Sequence, residues 1–271
     1  MDTVFPNQHA ETLALIQRLV DLAQPITLGH FRDDPDTETK QSGREYDPVT
    51  VADRDAETAI RAELAKARPT DAIVGEEHGT QDGTSGWTWY LDPIDGTRAY
   101  VAGLTSWTTL IGLAGPDGVP AYGAIACPAL GETYLGWPGG AALVTGEGVQ
   151  SISVSACEDL REARIATTDP FIFTPAEEGA WTHLRATARI TRYGLDAYAY
   201  ARLAGGTFDL VAESGLKPWD VAALIPVVRG AGGLALDWRG QPATARGGQI
   251  VCAASQPVID QALLALRRSA E

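Results

Sequence analysis

Apolar residues near the N-terminus recur at spacings of three and four: Leu13, Ile16, Leu19, Val20 and Ala23. That period predicts a helix over about 8–23. A second stripe, Ala52, Ala56, Ala59, Ile60 and Leu64, follows a Thr50-to-Asp53 capping-box pattern and predicts a helix to about residue 67, stopped by Pro69. Before it, 43–48 is polar and turn-rich. The pattern then changes to short apolar runs. Residues 72–74 read as a strand entering Gly75-Glu76-Glu77, and 88–91 as a strand ending at Asp92, with a polar loop over 80–86 between them. Four further runs, 107–114, 121–126, 132–136 and 141–144, are separated by Gly and Pro and predict antiparallel pairing.

After about residue 150 the rhythm alternates. Strand-like 164–166, 189–192, 208–212, 234–237 and 249–253 are interleaved with helix-like 176–187, 196–204, 219–229 and 258–267. This argues for an α/β layer. The chain is therefore expected to be an α/β protein in two halves: residues 1–150 form an α+β half with an antiparallel sheet, and 151–271 an α/β half. No internal repeat or low-complexity segment interrupts it.

Composition narrows the function. The 271 residues are 45% hydrophobic and 21% charged, enough to bury a sizeable core or two packed halves. A formal net charge of −14 repels nucleic acid and anionic membranes. It would also repel an anionic substrate, so an acidic site for a phosphate implies bound metal. Cys127, Cys157 and Cys252 are far apart, without a C-x-x-C pair, and read as thiols of a reducing cytoplasm. The N-terminus lacks the layout of a signal peptide, and no run of about 18 apolar residues is present to span a membrane.

Chemistry concentrates in Asp92-Pro93-Ile94-Asp95-Gly96-Thr97. Pro93 cannot donate to a ladder, and Gly96 permits a sharp turn. Such a turn can aim both carboxylates and the Ile94 carbonyl at one point. Hard oxygen donors suit Mg²⁺ better than zinc, and the N–H groups of Gly96 and Thr97 could cradle an anion. Alone, D-P and D-G are also ordinary turn signals. Glu76 after its strand also reads as a solvated acidic loop. Asp220 in Lys217-Pro-Trp-Asp220 also reads as a complement to a helix dipole, and Asp53 as a cap. The four histidines, His9, His30, His78 and His183, are scattered; only His78 lies near these motifs, as a bystander.

Together, the segments at Asp47–Asp53, Gly75-Glu-Glu, Asp92–Thr97 and Trp219-Asp-Val-Ala-Ala resemble the inositol monophosphatase family in order and spacing, from about Asp47 to Ala253. The resemblance implies a layered α-β-α-β-α sandwich of the inositol monophosphatase and fructose bisphosphatase type, two or three Mg²⁺ ions per subunit, and a homodimer. It implies that Glu76, Asp92 and the Ile94 carbonyl hold a first metal, and Asp92, Asp95 and Asp220 a second. Asp53 and Thr97 would orient or deprotonate the attacking water, with Glu76 also catalytic, and Gly96 and Thr97 would meet the phosphate.

Within the family, the stretches 95–103, 194–200 and 213–220 are most similar to bacterial histidinol-phosphate phosphatases. The substrate would then be a small phosphorylated metabolite carrying an ammonium and an imidazole, both suited to carboxylates. Asp196 and Glu213 are the candidate contacts, although Asp196 also reads as a helix N-cap. Arg98 would meet substrate or a partner subunit. At most one of Tyr198 and Tyr200 should reach the pocket, and Trp219 should pack behind Asp220. The alternatives are an inositol-1-phosphate or broad sugar-phosphate phosphatase, a 3′-phosphoadenosine nucleotide phosphatase, or a catalytically inactive metal-binding relative.

Overall fold

The computed structural model describes residues 6–33, 37–39 and 48–270, with 37–39 and 48–50 described by backbone alone. Asp47 and the turn over 43–47 lie outside the described residues. Helix α1 (Asn7–Gly29) runs on past the predicted end at 23, through Pro25. Burial carries it over the proline: Leu28 packs against Ile94, Tyr100 and Trp107, and the Tyr100 hydroxyl donates to the Thr27 carbonyl at 2.7 Å. Strands β1 (Thr37–Thr39) and β2 (Pro48–Thr50) form an antiparallel ribbon leading into α2 (Val51–Ala67). The predicted stripe of α2 is buried at Ala52, Ala56, Ile60 and Leu64.

One sheet is built from β3 (Ala72–Gly75), β4 (Gly79–Gln81), β5 (Thr88–Asp95), β6 (Thr108–Ala114), β7 (Pro120–Cys127), β8 (Glu132–Trp137), β9 (Gly140–Thr145) and β10 (Gly148–Ser151). Its order is β10-β9-β8-β7-β6-β5-β3-β4, antiparallel except between β3 and β5. Short helix α3 (Thr97–Val101) leaves the end of β5. Two expectations are corrected. The segment read as a polar loop carries β4, an edge strand that is exposed throughout and so shows no apolar alternation. The strand read as ending at Leu91 continues to Asp95. Asp92 pairs with Leu110 and Asp95 with Thr108, so β5 holds one extra residue there. Pro93 sits in this bulge, where no ladder donor is required.

The second sheet comprises β11 (Arg164–Ala166), β12 (Ile190–Arg192), β13 (Leu210–Leu216), β14 (Leu234–Leu236) and β15 (Gly248–Ala253), in the order β12-β11-β13-β15-β14. Helices α4 (Pro175–Thr187), α5 (Tyr198–Ala204), α6 (Pro218–Gly230) and α7 (Gln256–Leu266) connect or follow its strands. Strand β13 outruns its predicted end at 212 and takes in Glu213. Helix α5 starts later than predicted: Ala197 is its N-cap, and Asp196 lies outside with φ of 48°. The N-cap reading of Asp196 is therefore wrong.

The layers are α1 and α2, the eight-stranded sheet, α5 and α6, the five-stranded sheet, and α4 with α7. This is the expected α-β-α-β-α sandwich. Helix α6 is buried without a break from Val221 to Val228, because sheets cover it on both sides. Glycines on β6, β7 and β8 let it approach closely. A Cβ at Gly112 would stand 2.6 Å from the Ala222 carbonyl carbon, one at Gly123 would stand 2.7 Å from Pro226 Cγ, and one at Gly136 would overlap the Val227 backbone. Among the described residues no helix is long and apolar enough to cross a membrane.

Gly136→Ala should thus destabilise the fold by about 1–3 kcal/mol through overpacking, despite the better strand propensity of alanine. Urea unfolding reads this directly. A stabilised variant would mean that α6 is not seated so tightly.

Candidate active site

The bulge ends β5 with Asp92 buried and directs the chain into a turn at Gly96, whose φ of 78° favours glycine. The Thr97 hydroxyl donates to the Ile94 carbonyl at 3.1 Å and closes the turn. Because β3 lies parallel to β5, the amide of Glu76 reaches the Leu91 carbonyl at 3.1 Å, which lays Glu76 beside Asp92. The two carboxyl groups are close enough for Glu76 to raise Asp92. Asp220 comes from the other half of the chain, at the third position of α6. Its Oδ2 accepts from the Lys217 amide at 2.6 Å, so it caps its helix while facing Asp95 and Glu76. At the start of α6 Asp220 also fits the helix-dipole reading. Asp53 is buried in the first turn of α2, close enough to Tyr100 to add to the burial that raises that phenol.

The electrostatics are those of crowded acids. Burial pushes the Asp92 carboxyl well above the ordinary range, and Glu76, Asp95 and Asp220 push it further. Asp220 is raised by burial and then by Asp95, against the Lys217 amide. Asp95 is raised by burial and then by Asp196. It is opposed by two donors to its Oδ2, the Ala197 amide at 2.8 Å and the Thr108 hydroxyl at 3.1 Å. Asp196 is pushed up to about 7 by burial and Glu213, against Arg98. Glu213 is raised by burial, while its oxygens accept from the Thr168 amide at 2.7 Å and the Tyr200 hydroxyl at 2.9 Å.

This set fits a hard divalent cation. Asp92 Oδ1 is buried without a hydrogen-bond partner among the described residues, and every neighbouring donor atom is a carboxylate or carbonyl oxygen. Among the described residues no group of three or more His, Cys, Asp or Glu side chains stands ready-placed to hold a metal ion. Clefts lined by Trp87, Pro120, Trp137 and Pro226 lie at the opposite strand ends, away from the carboxylates.

Glu76, Asp92, Asp95 and Asp220 thus come together, with Asp196 and Glu213 adjoining them across Asp95. Gly96 packs on Asp196: a Cβ there would stand 3.0 Å from its carboxylate. Arg98 is exposed and faces Asp169 at 4.0 Å, a partner within the same chain that the sequence reading did not name. His78 is bound back to α2, by the Thr58 hydroxyl at 3.0 Å and the Arg54 carbonyl at 3.1 Å. Of the two tyrosines, Tyr200 reaches the pocket, through Glu213, and Tyr198 stacks under Arg202. Thr108 and Glu57 were missed. Glu57 had a signal, since it stands one helical turn after Asp53 on the same face.

Residues 9–271 match the inositol monophosphatase family. The bifunctional phosphatase IMPL2 of Arabidopsis thaliana is 37% identical over 92% of this chain and 72% of its own length. The histidinol-phosphatase of Chlorobaculum parvum is 33% identical over 89% of this chain and 91% of its own. A solved inositol monophosphatase from Zymomonas mobilis superposes with a TM-score of 0.85 at 36% identity, covering 97% of this chain and all of that one. The chain is therefore a member of the inositol monophosphatase family of phosphoric monoester hydrolases.

Proposed function

We propose that the chain hydrolyses L-histidinol phosphate to L-histidinol and phosphate, with Mg²⁺ as its metal. The observation that carries this reading is the pair Asp196 and Glu213, set beside Asp95. A substrate with phosphate at one end and an ammonium at the other meets charge complementarity at both. An ammonium beside Asp196 would restore the charge that burial disfavours. The histidinol-phosphatase among the relatives agrees with it. A second reading, an inositol-1-phosphate phosphatase, draws on the Zymomonas mobilis likeness, since a neutral polyol could also donate to Glu213.

Glu76, Asp92 and the Ile94 carbonyl would hold one Mg²⁺, and Asp92, Asp95 and Asp220 another. When bound, Mg²⁺ neutralises the phosphate, acidifies a bound water and stabilises the leaving alkoxide. The amides of Gly96 and Thr97 hold phosphate oxygens. The Thr97 proton is committed to the Ile94 carbonyl, so its oxygen offers lone pairs and accepts from the attacking water. Asp53 takes the water's proton, and Glu76 holds that water in line. Oxygen from water bonds to phosphorus, the ester P–O bond breaks, the leaving alkoxide takes a proton from solvent water, and Asp53 returns its proton to solvent. Positioning and charge do most of the work in such a transfer.

A phosphate-release panel with Mg²⁺ tests the reading. Histidinol phosphate should be the preferred substrate over inositol 1-phosphate and adenosine 3′,5′-bisphosphate, and preference for either of those would replace it. Asp95→Asn should lower turnover by roughly 10²–10³-fold, the scale for a lost preorganised contact, while thermal unfolding shows an intact fold. Asp196→Ala should lower kcat/KM more for histidinol phosphate than for a neutral sugar phosphate; equal losses would remove the ammonium argument. Tyr200→Phe strips a donor from the buried Glu213 carboxylate and should cost about 2 kcal/mol in chemical unfolding.

A further inference from the structure

Helix α2 grips the segment that carries Glu76 with four of its residues. Glu57 is fully buried, and its Oε2 accepts from the Glu77 amide at 2.8 Å while Oε1 accepts from the His78 amide at 3.2 Å. Arg61 Nε donates to Oε1 at 2.7 Å and fixes the carboxylate, and the same guanidinium donates to the Gly79 carbonyl. Thr58 and Arg54 hold the His78 ring. The contact is too close for a side chain at Gly75, where a Cβ would overlap the Glu57 carboxylate and stand 2.8 Å from the Arg61 guanidinium. The backbone is thus tied on both sides of Glu76: to Leu91 of β5 through its own amide, and to Glu57 through the next two amides.

We infer that Glu57 is a positioning residue that aims Glu76 at Asp92 and so sets how tightly the site takes its divalent cation. The inference rests on the reading of Glu76 as a metal ligand. A carboxylate is required, because two amides and a guanidinium converge on it and only a group with several acceptor sites satisfies all three. Glutamine keeps the shape but replaces one acceptor oxygen with a donor NH₂, which opposes an amide or the guanidinium. Asp53 lies one turn earlier on α2, so the same helix sets the spacing between the proton acceptor and Glu76.

The test uses the full chain with three substitutions: Glu57→Gln, Gly75→Ala, and Glu63→Gln as a control. Glu63 pairs instead with Arg18 at 3.0 Å and Lys66 at 3.6 Å. Mn²⁺ binding followed by electron paramagnetic resonance should weaken by about tenfold or more in Glu57→Gln, the scale for losing a group that orients a ligand. The half-activating Mg²⁺ concentration should rise in step, with kcat at saturating Mg²⁺ near wild type. Exchange of the Glu77 and His78 amides should quicken. Gly75→Ala should show the same pattern, because it displaces Glu57 without altering it, and it carries the test if Glu57→Gln does not fold. The control should match wild type. A folded Glu57→Gln or Gly75→Ala chain with wild-type Mn²⁺ affinity would overturn the inference, as would unchanged amide exchange. Wild-type chain that takes up no Mn²⁺ would overturn the metal reading itself, whereas faster exchange in the variants would still mark Glu57 as the anchor of the turn.

Discussion

Carboxylates do not gather unaided, so something stronger must force them together. That force is the burial of α6. The helix is apolar around its circumference from Val221 to Val228, and only a slot covered on both sides removes all of that surface from water. Gly112, Gly123 and Gly136 make one wall of the slot flat. Once α6 lies in it, its N-terminus stands beside the end of β5. Asp220 then has no choice of neighbours: it meets Asp95 and Glu76. The repulsion among these acids is a small opposing term against a whole layer of hydrophobic contact.

The same packing explains why local anchors surround each acid. Asp95 accepts from Thr108 and Ala197, Asp220 from Lys217, and Glu213 from Thr168 and Tyr200. Each bond favours the ionised form at a place where burial disfavours it. Asp92 is the exception, with one oxygen buried and unmatched among the described residues. The protein supplies nearly all the satisfaction its carboxylates need and leaves a deficit at the one shared by both proposed metals.

The sequence made the apolar layers readable wherever period and burial coincide. The stripes of α1 and α2, the antiparallel run from β6 to β9 and the alternation after 150 follow from spacing alone. What it hid was set by tertiary contact. Strand β4 is exposed on all sides and has no pattern to read. The apolar period of α1 runs out at Ala23, yet the helix continues through Pro25 because Leu28 has a core to enter. Pro93 suggested that β5 had ended, whereas a bulge absorbs the missing donor and the strand goes on. The acidic motif was legible as chemistry because D-P-I-D-G-T is rare in combination with the other segments. Its supports were not: Thr108 and Thr168 are ordinary residue types that matter only because the fold places them next to an acid.

One consequence concerns how specificity and catalysis are joined. The acidic turn leaves the eight-stranded sheet, Glu213 sits on the five-stranded one, and Asp196 lies between β12 and α5. Asp95 bridges them, since its Oδ2 takes an amide from Ala197, the residue after Asp196. Asp196 adopts a left-handed backbone and packs on Gly96 of the acidic turn. A change at 196 that relaxed this backbone would withdraw the Ala197 donor from Asp95 and shift the charge at the acidic turn. In the proposed reading, substrate choice and turnover share a hydrogen bond. A pocket redesigned for another alcohol must keep the Ala197 amide where it is, so changes at Glu213 and Thr168 are freer than changes at Asp196.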